Sequence, residues 1–331
     1  MEHKPVKIAV IGVGYLGRFH AEKLAALKSA ELVGIADLNI DRARDIAKSL
    51  RTRAVANYHD LIDDIEAAVV VTPTVQHWEV ASTLLAAGKD VFCEKPLTST
   101  LQEADHLISL AGEKQLVLQV GHLERFNPAV EGLLARAKDP LFLEVNRIAP
   151  FKARALDVDV ALDLMIHDLE IIIALVGAEP EHIRAVGVPV LGAHADIINA
   201  RLEFPGGCVA NLTASRLALK DERKMRLFQP DAYMSLDFRK RKLLVVRNVE
   251  FRADSTPKVK AERPSFGRSD PMEAELKSFI ECVRKRTPPR VSGLEGRRAL
   301  ACALAIQAKV KEGLAGREKL LARSRTLVDA K

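Results

Sequence analysis

A chain of 331 residues, 48% hydrophobic and 28% charged, has an ordinary soluble balance and is long enough for two domains with a sizeable core. Its formal net charge of +6 fits solubility or an anionic ligand such as a nucleotide or sugar nucleotide, and says nothing of fold. Cys93, Cys208, Cys282 and Cys302 lie far apart with no CxxC pair, which argues against a disulfide framework or a structural zinc site and fits a reducing cytosol.

The N-terminal MEHKPVKIAVIG enters a strand pattern at once, leaving no room for the apolar core of a signal peptide. The longest apolar run, IIIALVGA, is too short to span a bilayer. A cytoplasmic globular protein, not bound to membrane, is expected.

KIAVIGV predicts a buried strand and FHAEKLAAL an amphipathic helix; ELVGIAD and RARDIAKSL repeat the pair. AAVVVTP, KDVFCEK and QLVLQVG follow as strands, separated by the helical VASTLLAAG and EADHLISLAGE. Such alternation means βαβ units and a parallel sheet, and the near-continuous Val/Ile content means helices on both faces. After LQVGHLERFNP, from about residue 140, the strand candidates lengthen and alternate: LFLEVNRIA, HIRAVGVPVLG, DIINARLEF, GCVANLTASR, RKMRLFQPDAYMSLDF and KLLVVRNVEF. Hairpin turns such as Pro205–Gly207 point to an antiparallel or mixed sheet. One helical stretch, VALDLMIHDLEIIIALVG, sits among these strands, and MEAELKSFIECVRKR and LEGRRALACALAIQAKV close the chain. The charged, proline-bearing RADSTPKVKAERPSFGRSDP reads as an exposed loop.

Gly12, Gly14 and Gly17 form GVGYLG between the first strand and the first helix, where glycines permit a tight turn and let a pyrophosphate approach the helix start. Asp37 ends the second strand about 20 residues further on, where a carboxylate accepts ribose hydroxyls. Its charge repels a 2′-phosphate, so NAD is expected over NADP. Thr72 and Pro73 close the strand AAVVVTP, and ligands of open parallel sheets bind outside the carboxyl ends of the strands. His77 lies near that path and reads equally as a cofactor contact or an ordinary helix-start histidine. Trp78 reads as a packing residue.

Lys95, in VFCEKPLTST, occupies the same rim one strand further along. A lysine beside a nicotinamide cation in a partly dry cleft has its ammonium form disfavoured, which suits proton exchange with a substrate hydroxyl. Pro96 stiffens the backbone after it, in either peptide isomer. Taken alone, Glu94–Lys95 reads as a solvated ion pair. Asp163 and His167, four residues apart, share a helix face among Leu162, Leu164, Ile166, Leu169 and Ile171. There the carboxylate can fix the histidine tautomer; Asp168 reads as an exposed neighbour. The basic runs KDERKMR and FRKRKLLVVR read as the solvated face of a sheet. Arg216, Arg223 and Arg239 stay open to oligomer contacts or a sugar-nucleotide phosphate. Aromatics at 5% argue against a nucleic-acid surface.

In order, KIAVIGVGYLGRFH, ADLN, VVVTPTVQH, VFCEKPLTST, VGHLERFNPAV and DLMIHDLE resemble the Gfo/Idh/MocA oxidoreductases, and the similarity runs on to EGRRALACALAI. The resemblance implies an α/β fold in two domains. Residues 1–122 would form an NAD-binding Rossmann domain with a doubly wound parallel sheet. Residues 123–331 would form an α/β domain with a large, mostly antiparallel open sheet, for substrate and oligomerisation, the closing helices packing back on the first domain. In the family that sheet often joins subunits, so a homodimer or homotetramer is implied.

The resemblance also places residues. The EKP lysine and the DxxxH aspartate and histidine line the family's substrate site, here Lys95, Asp163 and His167, the catalytic set. Arg125 and Asn127 of ERFNP fall where the substrate-side loop begins and join Asp163 and His167 in binding substrate. The implied cofactor contacts are Gly12, Gly14, Tyr15, Leu16, Asp37, Thr72, Pro73, His77, Glu94 and Lys95, with no metal. One departure is LDVDVAL, where many relatives carry glycines before the DxxxH helix.

The combination of GHLERFNPAV with LDLMIHDLE looks most like a bacterial branch that oxidises the 3-hydroxyl of UDP-N-acetylglucosamine. The function so implied is NAD-dependent hydride transfer at a hydroxyl carbon of a sugar or UDP-sugar. Two alternatives stand beside it: a dehydrogenase or reductase of a dihydrodiol, inositol or tetrapyrrole, and a non-catalytic NAD-binding regulator. Lys95, Asp163 and His167 together argue against the regulator.

Overall fold

A computed structural model describes residues 4–151, 159–251, 257–267 and 269–329, with the side chains of 251, 257 and 317–329 outside the description. The first part runs β1 (Val6–Ile11), α1 (Tyr15–Ala26), β2 (Ala30–Ala36), α2 (Ile40–Leu50), β3 (Arg53–Val55), β4 (Ala67–Val70), α3 (Thr74–Ala86), β5 (Asp90–Glu94), α4 (Leu101–Glu113) and β6 (Leu118–Gly121). The strands form one sheet in the order β3-β2-β1-β4-β5-β6, every pairing parallel. Ile8, Ala9 and Val10 of β1 and all four residues of β4 are fully buried, which is why these strands read as unbroken apolar runs. The sheet order reverses between β1 and β4, the point where such folds take a dinucleotide.

Helix starts follow local chemistry. Asn39 caps α2 by accepting from the Arg42 amide, and Thr100 and Glu103 close a reciprocal capping box on α4. Helix α1 differs. Gly14 at its N-cap makes no side-chain hydrogen bond, and its first turn holds no acid. Its first amides are left to a ligand or water.

The second part runs α5 (Pro128–Leu134), β7 (Phe142–Pro150), a π-helical turn (Ala161–Met165) leading into α6 (Ile166–Val176), then β8 (His182–Val188), β9 (Ile197–Glu203), β10 (Val209–Ala218), β11 (Glu222–Gln229), β12 (Ala232–Asp237), β13 (Lys242–Phe251) and β14 (Pro257–Glu262), and closes with α7 (Pro271–Lys285) and α8 (Gly293–Asp329). The eight strands form a sheet in the order β14-β13-β12-β11-β7-β10-β9-β8. Only β7 and β10 pair in parallel among them. Alternation turns one face inward, with Leu143 and Val145, Ile198 and Leu202, and Leu212 joining Ile166, Leu169 and Ile172 of α6 in one core. Each fully buried side chain of this kind contributes about 1.5–3 kcal/mol.

The charged segment expected as a loop is partly a strand. β14 pairs antiparallel with β13, Val246 opposite Ala261 and Val245 opposite Glu262, while Lys258, Val259 and Lys260 stay exposed. An edge strand tolerates such a sequence because lysines there discourage pairing with another chain. Residues 252–256 and 268 of that segment lie outside the described residues.

The chain divides into two compact units, residues 1–126 with 268–297, and residues 127–267 with 298–331. α7 thus belongs with the parallel sheet, where Leu276, Phe279 and Ile280 enter its core and Phe279 meets Phe92 edge-on at 5.8 Å. Among the described residues no helix is long and apolar enough to cross a membrane, and no group of three or more His, Cys, Asp or Glu is placed to hold a metal ion.

Candidate functional site

At the switch point the glycine turn lies against the end of β4. Gly12 has a φ of +87°, and a Cβ there would stand 2.7 Å from the Val71 carbonyl oxygen. A Cβ on Gly17 would stand 1.9 Å from the Gly12 carbonyl oxygen, so the helix meets the turn with no space for a side chain. Beside them opens a cavity of about 830 Å³ lined by Gly12, Gly14, Asp37, Arg42, Thr72 and Pro73 among others. Gly14 and Tyr15 border an adjoining cavity with Arg18 and Arg42. Tyr15 and Leu16, in the first turn of α1, are exposed. Asp37 is anchored by the amides of Val13 (2.9 Å, to Oδ2) and Asn39 (2.8 Å, to Oδ1). Arg42 Nη2 lies 3.9 Å from its Oδ1. A cradle that only glycine permits, an uncapped helix start and a carboxylate at the end of β2 together fit a dinucleotide.

One strand along, β5 ends at Glu94, and the Lys95–Pro96 peptide is cis. His77 is buried, and its two ring nitrogens face the carbonyl oxygens of Pro96 (2.8 Å) and Thr72 (2.9 Å). It ties the end of β4 to the turn after β5. Burial pulls its pKa down, against the pull of the two carbonyls. Trp78 packs on α4, its indole N–H donating to His106 Nδ1 at 3.1 Å.

Two histidines that sequence reading passed over surround Glu94. His20, fully buried on α1, donates from Nε2 to Glu94 Oε1 at 2.8 Å, and the Lys95 amide donates to Oε2 at 3.1 Å. Burial alone would raise the Glu94 pKa, but the hydrogen bond and charge of His20, with the Lys95 amide and charge, hold it below the usual carboxylate range. His122, following β6, is buried and lowered to about 3, first by burial and then by the charge of Lys95, so it is neutral at physiological pH. A signal for His20 existed: it shares the inward face of α1 with Gly17, Ala21 and Leu24.

In the other unit, Asp163 sits in the π-helical turn and His167 in the first turn of α6, both partly exposed. Short π segments recur at functional sites. Two readings need correction. Asp168 is not an exposed neighbour: it is 1% exposed and paired with Arg147 of β7, because α6 is buried on most of its circumference. Arg216, read as open to oligomer contacts or a sugar-nucleotide phosphate, is buried instead: it follows the inward phase of β10 and pairs with the buried Asp196 at 2.7 Å. Asn127 is buried, its Oδ1 capping α5 through the Ala129 amide and its Nδ2 donating to the Phe238 carbonyl.

Arg125 stays half-buried in the first unit, where Arg290 donates to its carbonyl at 3.3 Å and lies over the Phe126 ring at 4.9 Å. Arg223 and Arg239 both approach Asp221, at 3.3 and 3.5 Å, beside a cavity of about 870 Å³. Of the LDVDVAL departure, residues 156–158 lie outside the described residues.

Residues 6–122 match the family model described as "Oxidoreductase family, NAD-binding Rossmann fold", and residues 144–231 match the "GFO/IDH/MocA C-terminal domain". The chain belongs to the Gfo/Idh/MocA family. It is 41% identical to a UDP-N-acetylglucosamine 3-dehydrogenase of Acidithiobacillus ferrooxidans over 92% of this chain and 97% of that protein. A solved structure of that enzyme superposes with a TM-score of 0.88 at 40% identity, covering 94% of this chain and 99% of the other. A myo-inositol 2-dehydrogenase of Thermotoga maritima is 28% identical over 93% of this chain and 97% of that protein. The family assignment makes the glycine-lined cleft an NAD-binding site of a Rossmann oxidoreductase, and the two sheets described above are the Rossmann sheet and the C-terminal open sheet.

Proposed function

We propose that this family member oxidises the 3-hydroxyl of UDP-N-acetylglucosamine, with Lys95, His167 and Asp163 as its catalytic residues. The observation that carries the substrate is the similarity, 41% over nearly the full length of both chains, to an enzyme of that name. NAD held along Gly12, Gly14, Asp37, Thr72 and Pro73 would supply the two-electron acceptor for the sugar carbon's hydride, the carbinol becoming a ketone. The hydroxyl proton passes to Lys95 or His167. Asp163, one helical turn before His167, orients the imidazole, and Lys95 holds the hydroxyl oxygen as negative charge develops on it. Arg125 stands at the substrate side, and Tyr15, Leu16, Thr72 and Pro73 border the cofactor. The Asp37 carboxylate disfavours a 2′-phosphate, so NAD is preferred over NADP.

The open face of the eight-stranded sheet joins subunits in this reading. It presents Phe142, Phe228 and Tyr233 in a ring cluster, with centroids 5.7 and 5.0 Å apart in sequence, and Phe228 is 38% exposed. Four buried free thiols suit a reducing cytoplasm.

The test is the absorbance of reduced nicotinamide when the purified protein and NAD meet UDP-N-acetylglucosamine, UDP-glucose or myo-inositol. UDP-N-acetylglucosamine should be turned over fastest. Lys95→Ala and His167→Ala should each lower turnover by about 100-fold or more while NADH binding persists. Faster oxidation of inositol, or full turnover in either variant, overturns the reading.

A further inference from the structure

The Glu94 side chain is 13% exposed, and that of His20 is fully buried. A carboxylate so placed takes up a proton unless donors and charges compensate its lost hydration. Both its oxygens are met by N–H groups, His20 Nε2–H on Oε1 at 2.8 Å and the Lys95 amide on Oε2 at 3.1 Å. Because Oε1 accepts, Nε2 carries the hydrogen, and Nδ1 of the same ring meets no hydrogen-bond partner among the described residues. On β6, a Cβ at Gly121 would stand 2.9 Å from the Glu94 carboxyl, so a glycine there leaves the carboxylate its room. Strand β5, helix α1 and strand β6 thus each give one residue to a single buried anion. None of the three is explained by hydride transfer itself.

We propose that His20 and Glu94 are a positioning pair that keeps Lys95 in its ammonium form beside the cofactor cleft. The inference rests on the reading of Lys95 as a catalytic residue, in the form where Lys95 holds the oxygen and His167 takes the proton. An anion one residue away, in a poorly hydrated site, favours the ammonium and offsets the repulsion of a nicotinamide cation. The ammonium is the form that can hold a developing alkoxide. Glu94 can do this only while ionised, and the His20 N–H helps to keep it so. Among the described residues, Cys93 on β5, His77 on α3 and His122 after β6 also feel the Glu94 charge, and Arg125 acts in turn on His122. His122 is neutral at physiological pH and adds no competing cation.

The experiment reads Lys95 directly. The pH dependence of its acylation by an amine reagent is followed by mass spectrometry of the peptide that contains it, in the cofactor-free full-length protein. In His20→Leu and Glu94→Gln the reaction midpoint should fall by about one pH unit or more relative to wild type. His20→Gln keeps an N–H donor and should stay close to wild type. A cooperative thermal unfolding transition shows that a variant is folded. A wild-type midpoint in folded His20→Leu overturns the proposal, as does a His20→Gln midpoint displaced as far as that of His20→Leu. If His20→Leu does not fold, an unmoved midpoint in Glu94→Gln overturns it. Should the midpoints move while Lys95→Ala keeps full turnover, the pair stands and the catalytic reading of Lys95 falls. Unmoved midpoints with an inactive Lys95→Ala give the reverse.

Discussion

Arg147 of β7 and Asp168 of α6 form a buried two-point ion pair, Nε to Oδ2 at 2.7 Å and Nη2 to Oδ1 at 2.8 Å, with the guanidinium 5.1 Å from the centre of the Phe238 ring. His167 immediately precedes Asp168, so the pair fixes the rotation of the helix that presents the proposed catalytic histidine. Breaking one side leaves a buried charge. Asp168→Asn should destabilise the protein by about 3–5 kcal/mol in denaturant unfolding. The double variant Arg147→Met with Asp168→Leu should recover most of that loss. Its turnover should stay low, because the constraint on His167 is gone. Full turnover in the stable double variant would show that the pair does not orient the histidine.

A second buried pair makes stability depend on acid. Asp196 accepts from Arg216 Nε and from the amides of Val190 and Leu191, each at 2.7 Å. Burial alone would raise its pKa, but the two amides and Arg216 outweigh it and hold the carboxyl below the usual range. A folded pKa below the unfolded value of about 3.9 means the stabilisation is present above that pH and is lost as pH falls through the folded value. Urea midpoints should therefore drop below about pH 4 in wild type. Asp196→Asn should lower the midpoint at neutral pH and flatten that acid limb. An unchanged acid limb in the variant would show that other carboxylates carry it.

How much of this was legible depended on how local each signal was. The glycine turn and Asp37 could be read because strand, turn, helix and acid follow one another within about 30 residues. β3 escaped because Arg53–Val55 is too short to show a period. β14 carries lysines and a proline that read as loop, and only the presence of β13 beside it makes it a strand. Asp168 was misplaced because its partner lies on another element, although Arg147 stands in phase with Leu143 and Val145 on the inward face of β7. Asn127 before Pro128 carried the local signature of a helix start. The surroundings of Glu94 could not be read from its own stretch, since His20 and Gly121 reach it from distant points in the chain.

Gly17 should tolerate nothing larger. The Cβ of Gly17→Ala would stand 1.9 Å from the Gly12 carbonyl oxygen, closer than any contact allows, so helix or turn must shift. Isothermal titration should show NADH affinity reduced by about tenfold or more, each tenfold being about 1.4 kcal/mol. Gly313→Ala, at a helix position where a Cβ meets nothing within 4 Å, serves as the control and should bind as wild type. Equal affinity in Gly17→Ala would mean the close approach is not needed for the cofactor.

Asp37 and Arg42 make opposite demands on the adenosine end of the cofactor. The carboxylate is held by two amides and repels a 2′-phosphate, while the Arg42 guanidinium, 3.9 Å away and half-exposed, would attract one. In wild type the carboxylate should dominate and NAD should bind more tightly than NADP. Asp37→Ser removes the repulsion and frees Arg42 to meet the phosphate. A charge-assisted hydrogen bond of about 1.5–3 kcal/mol corresponds to a shift in the NADP/NAD affinity ratio of about 10- to 100-fold. Adding Arg42→Ala to Asp37→Ser should cancel that gain. Quenching of protein fluorescence by each cofactor measures the ratio without turnover. If Asp37→Ser leaves the ratio unchanged, the carboxylate does not set cofactor preference; if Arg42→Ala fails to reverse the gain, the phosphate is held elsewhere.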